Sequence, residues 1–350
     1  MAAGFAHPET APAKALLESP TPNLVSGSSL NSVKSVKEEY VFKNATVYRI
    51  APGWTVTAAT LEDALEAGRF VECGATQPRS IGWVEPRGKA HGPLLESIGG
   101  QWLLKLMIES KVLPSAVVKR KVDERARRIE AQTGRKPGKR EGKEIKEAAV
   151  LELLPMAFTK QVAVLLWISK DQRLLLVDAG SQARADEVVS FLVKAVEGLS
   201  VTLLQSTTSA AVSMAQWLLE REAPAGFSID RECELKSVDE MKSVVRYARH
   251  LLDTDEVVQH IQAGKVPTRL AMTWQGRVSF VLSESLVLKK IEFLDVVFEG
   301  AQHGQDDGFD ADSAISTGEL GRLLPDLFRA LGGEMAGPGE APAPQPRLAA

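Results

Sequence analysis

The chain contains little cysteine. Only Cys73 and Cys233 occur among its 350 residues, far apart and without CxxC spacing or a neighbouring histidine. This pattern excludes a disulfide framework and a cysteine-based zinc site, and it favours a reducing compartment such as the cytoplasm. No apolar run approaches the roughly 20 residues that cross a bilayer, and the chain does not open with a secretory signal. We therefore expect a protein that stays inside the cell and off the membrane.

Sequence signatures of catalysis are also missing. The chain has no GxxxxGK[ST] phosphate loop, no GxSxG elbow and no HExxH zinc motif, and its five histidines do not pair at ligand spacing. An acidic cluster lacks the ordered spacing of a calcium loop, which favours a solvated loop; it comprises Asp306, Asp307, Asp310 and Asp312. We predict no enzyme, no cofactor and no metal site. A metal-dependent nuclease using Asp306 to Asp312 is the weakest alternative.

Aromatic residues make up only 6% of the chain, so a base-stacking platform is not indicated. Positive charge, in contrast, is concentrated. Between Lys119 and Lys146 twelve Lys and Arg residues accompany five acids, although the whole chain has a net charge of −3. Charge segregated in this way predicts a surface for a polyanion, bound through phosphates without regard to sequence. A solvated hairpin whose charges only keep it soluble is the alternative.

The basic segment has the pattern of two helices. Pro114 marks the start of the first helix, residues 134–138 break the pattern, and Pro155 stops the second arm that begins near Lys139. Their apolar residues form one narrow seam: Val118, Val122 and Ile129, then Ile145, Ala149, Leu153 and Leu154. We predict a protruding basic helical hairpin, or finger, over about 114–158, with Phe158 at its root or at an exposed corner.

The remaining chain predicts a body between two tails. Residues 1–39 and 336–350 are rich in Ala, Pro and small polar residues, which predicts a disordered N-terminal extension and a disordered tail. Within 40–335, clustered rather than alternating elements favour an α+β fold with mixed antiparallel sheets. Strands are predicted at 41–50, 101–109, 162–168, 173–178, 266–274, 277–282 and 285–293. Helices are predicted at 60–68 with Thr60 as cap, 181–197, 208–221, 253–263 and 318–331.

Seven stretches of the chain resemble the bacterial recombination-associated RdgC family. They cover about residues 40–335, and they are VFKNATVYRI from Val41, GWVEPRG from Gly82, LLPMAF from Leu153, LLLVDAGSQARADEVVSFL from Leu174, HIQAGKVPTRLAMTW from His260, FDAD from Phe309 and TGELGRLLPDLFRALGGE from Thr317. The N-terminal extension before Tyr40 has no counterpart in the family pattern.

The resemblance implies a function. Family members are homodimers closed at two interfaces into a ring whose basic inner surface can encircle duplex DNA, so a ring-shaped homodimer is expected here. The resemblance further implies DNA binding without sequence preference, a cytoplasmic and nucleoid-associated location, and control of recombination by limiting the access of RecA to DNA. Double-stranded DNA is the expected partner, and single-stranded DNA is left open.

The resemblance also assigns residues. Phe158 matches an aromatic residue near the interface where the ring would open, with an ordinary core position as the alternative. Arg249 and His250 match a basic-polar pair that is a candidate DNA contact. Two positions depart from the family pattern: a relative can carry a basic residue where this chain has Met156, and an amide where it has His250. The expected DNA-binding set in the hairpin is Lys119, Arg120, Arg127, Arg128, Arg135, Lys136, Lys139, Arg140 and Lys143. A scaffold whose basic hairpin docks on an acidic protein, RecA itself included, is the main alternative.

Overall fold

The computed structural model describes residues 42–299 and 308–335. Within them, twelve strands join into one sheet whose ladders are all antiparallel, in the order β2-β4-β5-β6-β1-β12-β11-β10-β8-β9, with β3 added on β4 and β7 on β1. The strands are β1 Asn44–Ile50, β2 Arg79–Val84, β3 Leu95–Ile98, β4 Gln101–Val112, β5 Phe158–Ser169, β6 Leu174–Val177, β7 Val201–Leu203, β8 Phe227–Ser237, β9 Val244–Ala248, β10 Lys265–Trp274, β11 Val278–Ser283 and β12 Leu288–Phe293.

Seven α-helices accompany the sheet in the described part of the chain. They are α1 Ala58–Glu66, α2 Ser115–Thr133, α3 Lys139–Leu153, α4 Gln182–Ala195, α5 Ala210–Glu220, α6 Asp255–Gln262 and α7 Gly308–Ala330. The fold is thus mixed α and β with a large antiparallel sheet, as predicted. No helix among these residues combines the length and apolar character required to span a membrane.

Strand β1 is shared by two halves of the sheet. Asn44 and Ala45 pair with β12, whereas Thr46 to Arg49 pair with β6. Two cores pack on the sheet. One contains Leu61 of α1, Trp83 of β2 and side chains of α4. The other contains Trp274, Phe280 and side chains of α5, α6 and α7, and it extends to side chains of β4, β5 and β6 in the first half. The predicted tails, 1–39 and 336–350, lie outside the described residues, so their disorder stays a prediction.

Three sequence expectations about helix and strand ends are wrong in detail. Helix α1 is capped by Thr57 rather than Thr60, because the Thr57 hydroxyl accepts the backbone N–H of Thr60. The last helix starts at Gly308, ten residues before 318, because its first turns bury small polar residues that do not register as an apolar stripe. Strand β4 reaches Val112 instead of residue 109.

Two motifs of the resemblance meet in the fold. Arg87 of the GWVEPRG stretch pairs with Glu96 on β3 and with Asp310 at the start of α7, and its guanidinium lies 4.7 Å from the centre of the Phe309 ring. Gly82 of the same stretch lies against the backbone of Phe70, where a Cβ atom would come within 2.7 Å of the Phe70 nitrogen. The first motif therefore has a packing role and anchors the last helix.

Candidate nucleic-acid interface

Helices α2 and α3, with the connector 134–138, form the connection between strands β4 and β5. These strands pair along their length as far as Val112 and Phe158. The chain leaves the ladder after Val112 to form α2 and returns to it from α3 at Phe158. Helix α2 ends at Gly134, whose φ of +72° suits glycine, and the backbone N–H of Gly138 donates to the Glu141 carboxylate at the start of α3. We call residues 115–153 the basic helix pair.

The two helices contact each other through a thin seam. Val118 on α2 and Ile145 and Ala149 on α3 are buried. A charged bridge supplements this seam, because Glu152 on α3 pairs with Lys121 at 2.7 Å and with Arg125, both on α2. Hydrogen bonding from Lys121, followed by that from Arg125, lowers the pKa of Glu152, so its carboxylate stays ionised at neutral pH.

Several predicted DNA-binding cations already have an acidic partner. Arg128 pairs with Glu124 at 3.3 Å and Arg140 with Glu144 at 3.3 Å, both one helical turn apart. The other two pairs are Arg135–Glu141 at 2.8 Å and Lys143–Glu147 at 3.8 Å. These four cations are exposed, and such surface pairs contribute little to stability. A phosphate must nevertheless compete with the internal acid for each of them.

A second set of cations is exposed and makes no ion pair with an acid among residues 42–299 and 308–335. This set is Lys119, Arg120, Arg127, Lys136, Lys139 and Lys146. Lys136 lies in the connector and Lys139 begins α3, so the far end of the helix pair is rich in free positive charge. Of the nine predicted contacts in the hairpin, five therefore have no internal competitor within the described chain.

Arg249 and His250 lie elsewhere. They follow β9, the last strand in the sheet order, whereas the helix pair follows β4 near the opposite end of that order. Arg249 has a φ of +57°, an uncommon conformation for arginine, and the His250 ring lies 5.4 Å from the Tyr247 ring and within 2.6 Å of the Leu251 carbonyl oxygen. Within one chain, the strand order thus separates the two predicted contact regions.

Phe158 is not a core residue. Its side chain is 87% exposed at the root of the helix pair, so the alternative of an ordinary core position is wrong. Exposed apolar side chains surround it in sequence or across the ladder: Val112, Leu151, Met156 and Val162. From Phe158 to Val164, strand β5 pairs only with β4 among the described residues, so its other edge is open. The root combines an exposed apolar surface with an unpaired strand edge.

The structure describes two of the four residues of the acidic cluster. Asp306 and Asp307 lie outside the described residues. Asp310 pairs with Arg87, and Asp312 is buried within α7, so neither belongs to the solvated loop expected from sequence. In the described part of the chain, no group of three or more His, Cys, Asp and Glu side chains is arranged to hold a metal ion.

Sequence reasoning missed three residues at the base of this site. Glu152 lies beyond the basic run, and its role as a bridge depends on how α2 and α3 pack. Glu109 and Lys111 lie in the second half of β4, and Glu109 is only 2% exposed. The available signal was a glutamate and a lysine two residues apart in a largely apolar strand, since buried charges need partners.

Fold and site together define a mixed α/β protein whose free cations are concentrated on a helix pair at the end of a two-stranded ladder. The family model described as "Putative exonuclease, RdgC" matches residues 40–334. Proteins named "Recombination-associated protein RdgC" are similar along their whole length. The one from Dechloromonas aromatica is 44% identical over 84% of this chain and 98% of its own, and that from Herminiimonas arsenicoxydans is 44% identical over 84% and 99%. The protein from Bordetella pertussis is 42% identical over 84% and 98%. The chain belongs to the RdgC family, as its resembling stretches predicted, and this membership supports a role in recombination.

Proposed function

We propose that this protein binds duplex DNA through its phosphates, without sequence preference, and uses the basic helix pair as its main contact. The observation that carries the proposal is the set of exposed cations without an internal acid, Lys119, Arg120, Arg127, Lys136 and Lys139, on an element that leaves the sheet. Each cation that meets a phosphate releases a counterion, so affinity falls as salt rises. Membership of a recombination-associated family supports DNA as the polyanion.

The proposed assembly is a homodimer that closes into a ring around the duplex. The exposed Phe158, its apolar neighbours and the open edge of β5 supply a surface that a second copy can cover, since an unpaired strand edge is a template for pairing. A patch of this kind rimmed by charge is typical of a protein interface. Enclosure would slow dissociation and permit sliding.

Occupation of DNA by such a ring limits the access of RecA, and this is the proposed route by which the protein modulates recombination at the nucleoid. No catalytic step is part of the proposal. The family model's description names an exonuclease, so magnesium is included in the tests: loss of DNA ends with Mg²⁺ would favour that activity over simple occupation.

The main alternative is a scaffold whose basic helix pair docks on an acidic protein surface. The favourable observation is the same free positive charge, which does not distinguish phosphate from carboxylate. Purified protein that fails to retard naked DNA, yet binds RecA in a salt-sensitive manner, would favour the scaffold.

The proposal predicts unequal effects of neighbouring cations. Lys139→Ala removes a cation without an internal partner, so affinity should fall evenly across duplexes of different sequence and the salt slope should decrease by about one unit. Arg140→Ala removes a cation paired with Glu144, so its effect should be smaller. Fluorescence anisotropy with several labelled duplexes over a salt series measures both. A loss confined to one sequence contradicts phosphate contact.

A further inference from the structure

Lys111 makes an unusual set of contacts at the root of the helix pair. Its ammonium forms no ion pair among the described residues; instead it donates to two backbone carbonyls, that of Ala75 at 2.7 Å and that of Leu154 at 3.0 Å. The backbone N–H of Lys111 donates to Pro78 at 2.9 Å. One residue of β4 therefore touches both the loop 71–78 and the return of the helix pair.

The Leu154 carbonyl is a particular acceptor. Leu154 is the C-cap of α3, where the last carbonyls of a helix lack intrahelical donors and carry partial negative charge. The Leu154 carbonyl accepts the backbone N–H of Ala157 at 3.1 Å, and the Lys111 ammonium is a second donor that also interacts favourably with the helix end. Lys111 thus attaches the end of α3 to the sheet.

Glu109 reinforces the same attachment. It precedes Lys111 by two residues on β4 and so shares its face of the strand. Its buried carboxylate accepts the backbone N–H of Cys73 in the loop 71–78 and lies 3.3 Å from the Gln161 side-chain nitrogen on β5. The N–H of Cys73, the largest contribution, lowers the pKa of Glu109, so the acceptor is charged at neutral pH. The loop is held by Glu109 and Lys111 together.

Among the described residues, few contacts hold the helix pair to the sheet. The seam between α2 and α3 buries Val118, Ile145 and Ala149, Leu154 is buried at the root, and the pair joins the sheet through two chain crossings, after Val112 and before Phe158. Two chain crossings alone would allow the pair to change its angle to the sheet unless contacts at the root resist. The ammonium of Lys111 supplies such a contact at the second crossing.

We propose that Lys111 is a positioning residue: by joining β4, the loop 71–78 and the C-terminus of α3, it sets the orientation of the basic helix pair and thereby the fraction of molecules in which the cations of the pair can meet phosphates together. The inference rests on the proposed DNA binding for its consequence, but the orientation itself can be measured without DNA. Lys111 acts through the cations of the pair and contacts no phosphate.

The test compares three variants. Lys111→Met removes the donors and keeps a long apolar stem, Lys111→Arg keeps donors for both carbonyls, and Lys160→Met removes an equal charge from the exposed neighbouring strand β5. Orientation is read as the distance distribution between spin labels at Ala131→Cys and Lys194→Cys, in a Cys73→Ser, Cys233→Ala background. Affinity and salt slope are read with duplex DNA, and folding with circular dichroism.

Lys111→Met should broaden the distance distribution and weaken DNA binding about five- to tenfold, since only a fraction of molecules then holds the competent orientation, while the salt slope stays unchanged. Lys111→Arg should keep the distance distribution narrow and the affinity for DNA close to that of the wild type. The inference is overturned by a narrow distribution in folded Lys111→Met, or by Lys111→Met and Lys160→Met losing the same affinity with the same reduction in slope. If the wild-type chain binds no DNA, the proposed function fails, and the distance distribution alone still decides the positioning role.

Discussion

Glu152 shows how single residues set the charge available for binding. It lies outside the basic run in sequence, yet its carboxylate neutralises Lys121 and Arg125 on the opposite helix. Its side chain is 42% exposed, so the bridge adds little stability, but it occupies the place that a phosphate would take. The chain therefore carries an internal competitor for its own ligand.

Glu152→Gln should strengthen DNA binding. The substitution releases Lys121 and Arg125, so the salt dependence should become steeper by about one to two units as further counterions are displaced. The measurement is a binding isotherm at several salt concentrations. Glu130→Gln is the matched control, because Glu130 carries the same charge on α2 but forms no ion pair among the described residues. Equal gains in affinity and slope from both variants would contradict release of specific cations.

At this scale, sequence predicts which residue types gather but not which of them pair. The run from Lys119 to Lys146 lies on one element, the basic helix pair. The division into free and paired members depends on rotamers and on the contact between α2 and α3, which leaves Lys139 free and joins Arg140 to Glu144. Lys111 and Glu109 were missed because their partners lie some 36 residues away in the chain, at Ala75 and Cys73.

At the scale of elements, two glycines illustrate opposite constraints. Gly82 on β2 lies against the Phe70 backbone, where no Cβ fits, whereas Gly142 in α3 has no atom within 4 Å of the position of a Cβ. Gly82→Ala should destabilise the fold by about 3 kcal/mol, and Gly142→Ala should stabilise it by about 0.5–1 kcal/mol because helical glycine is entropically unfavourable. Urea unfolding of both variants measures the two changes in the free energy of unfolding. A tolerated Gly82→Ala would contradict the close approach of β2 and Phe70.

Glu234 on β8, between Arg246 on β9 and Thr268 on β10, predicts a pH dependence of stability. Glu234 accepts hydrogen bonds from Arg246 at 2.7 Å and Thr268 at 2.9 Å, and the bond from Arg246, the larger effect, lowers its pKa below the ordinary 4.5. A lowered pKa contributes stability that is complete above about pH 4.5 and is lost as pH falls through the lower, folded value.

The difference in unfolding free energy between wild type and Glu234→Gln should therefore be constant near pH 7 and shrink as the pH falls below 4.5. Denaturant titrations from pH 7 to pH 3 measure it. Glu232→Gln is the control, because Glu232 pairs only with the exposed Lys290 among the described residues and should change stability less. A difference that grows on acidification would contradict the account of Glu234.

The sequence predicted the presence of strands and helices better than the residues at which they begin and end. Alternation and turn residues placed the β10–β11 hairpin and most strands, because side-chain period and turn chemistry are local properties. The start of α7 could not be predicted, since Ser313 and Ser316 are buried by tertiary contacts and appear polar in sequence. The order of strands depends on non-local pairing, so the shared role of β1 was not visible in the pattern.

For the whole molecule, charge and architecture agree. A chain of net charge −3 concentrates free cations on one element, leaves net negative charge on the rest of the chain and has an apolar root beside the cations, which suits the proposed dimer, whose helix pairs would face a polyanion. The proposed ring closure rests on the resemblance to the RdgC family rather than on periodicity, because symmetry between two chains leaves no signature in the spacing of one.

The most direct test of this account is dissociation from linear and from covalently closed circular duplex DNA of the same sequence as salt is raised. An encircling ring predicts equal binding at low salt and a complex that survives high salt on the closed circle alone. Phe158→Ser, which alters the exposed root, should abolish that difference while retaining low-salt binding. Equal loss from both DNA forms would contradict enclosure, and no binding to either would contradict DNA as the ligand of the basic helix pair.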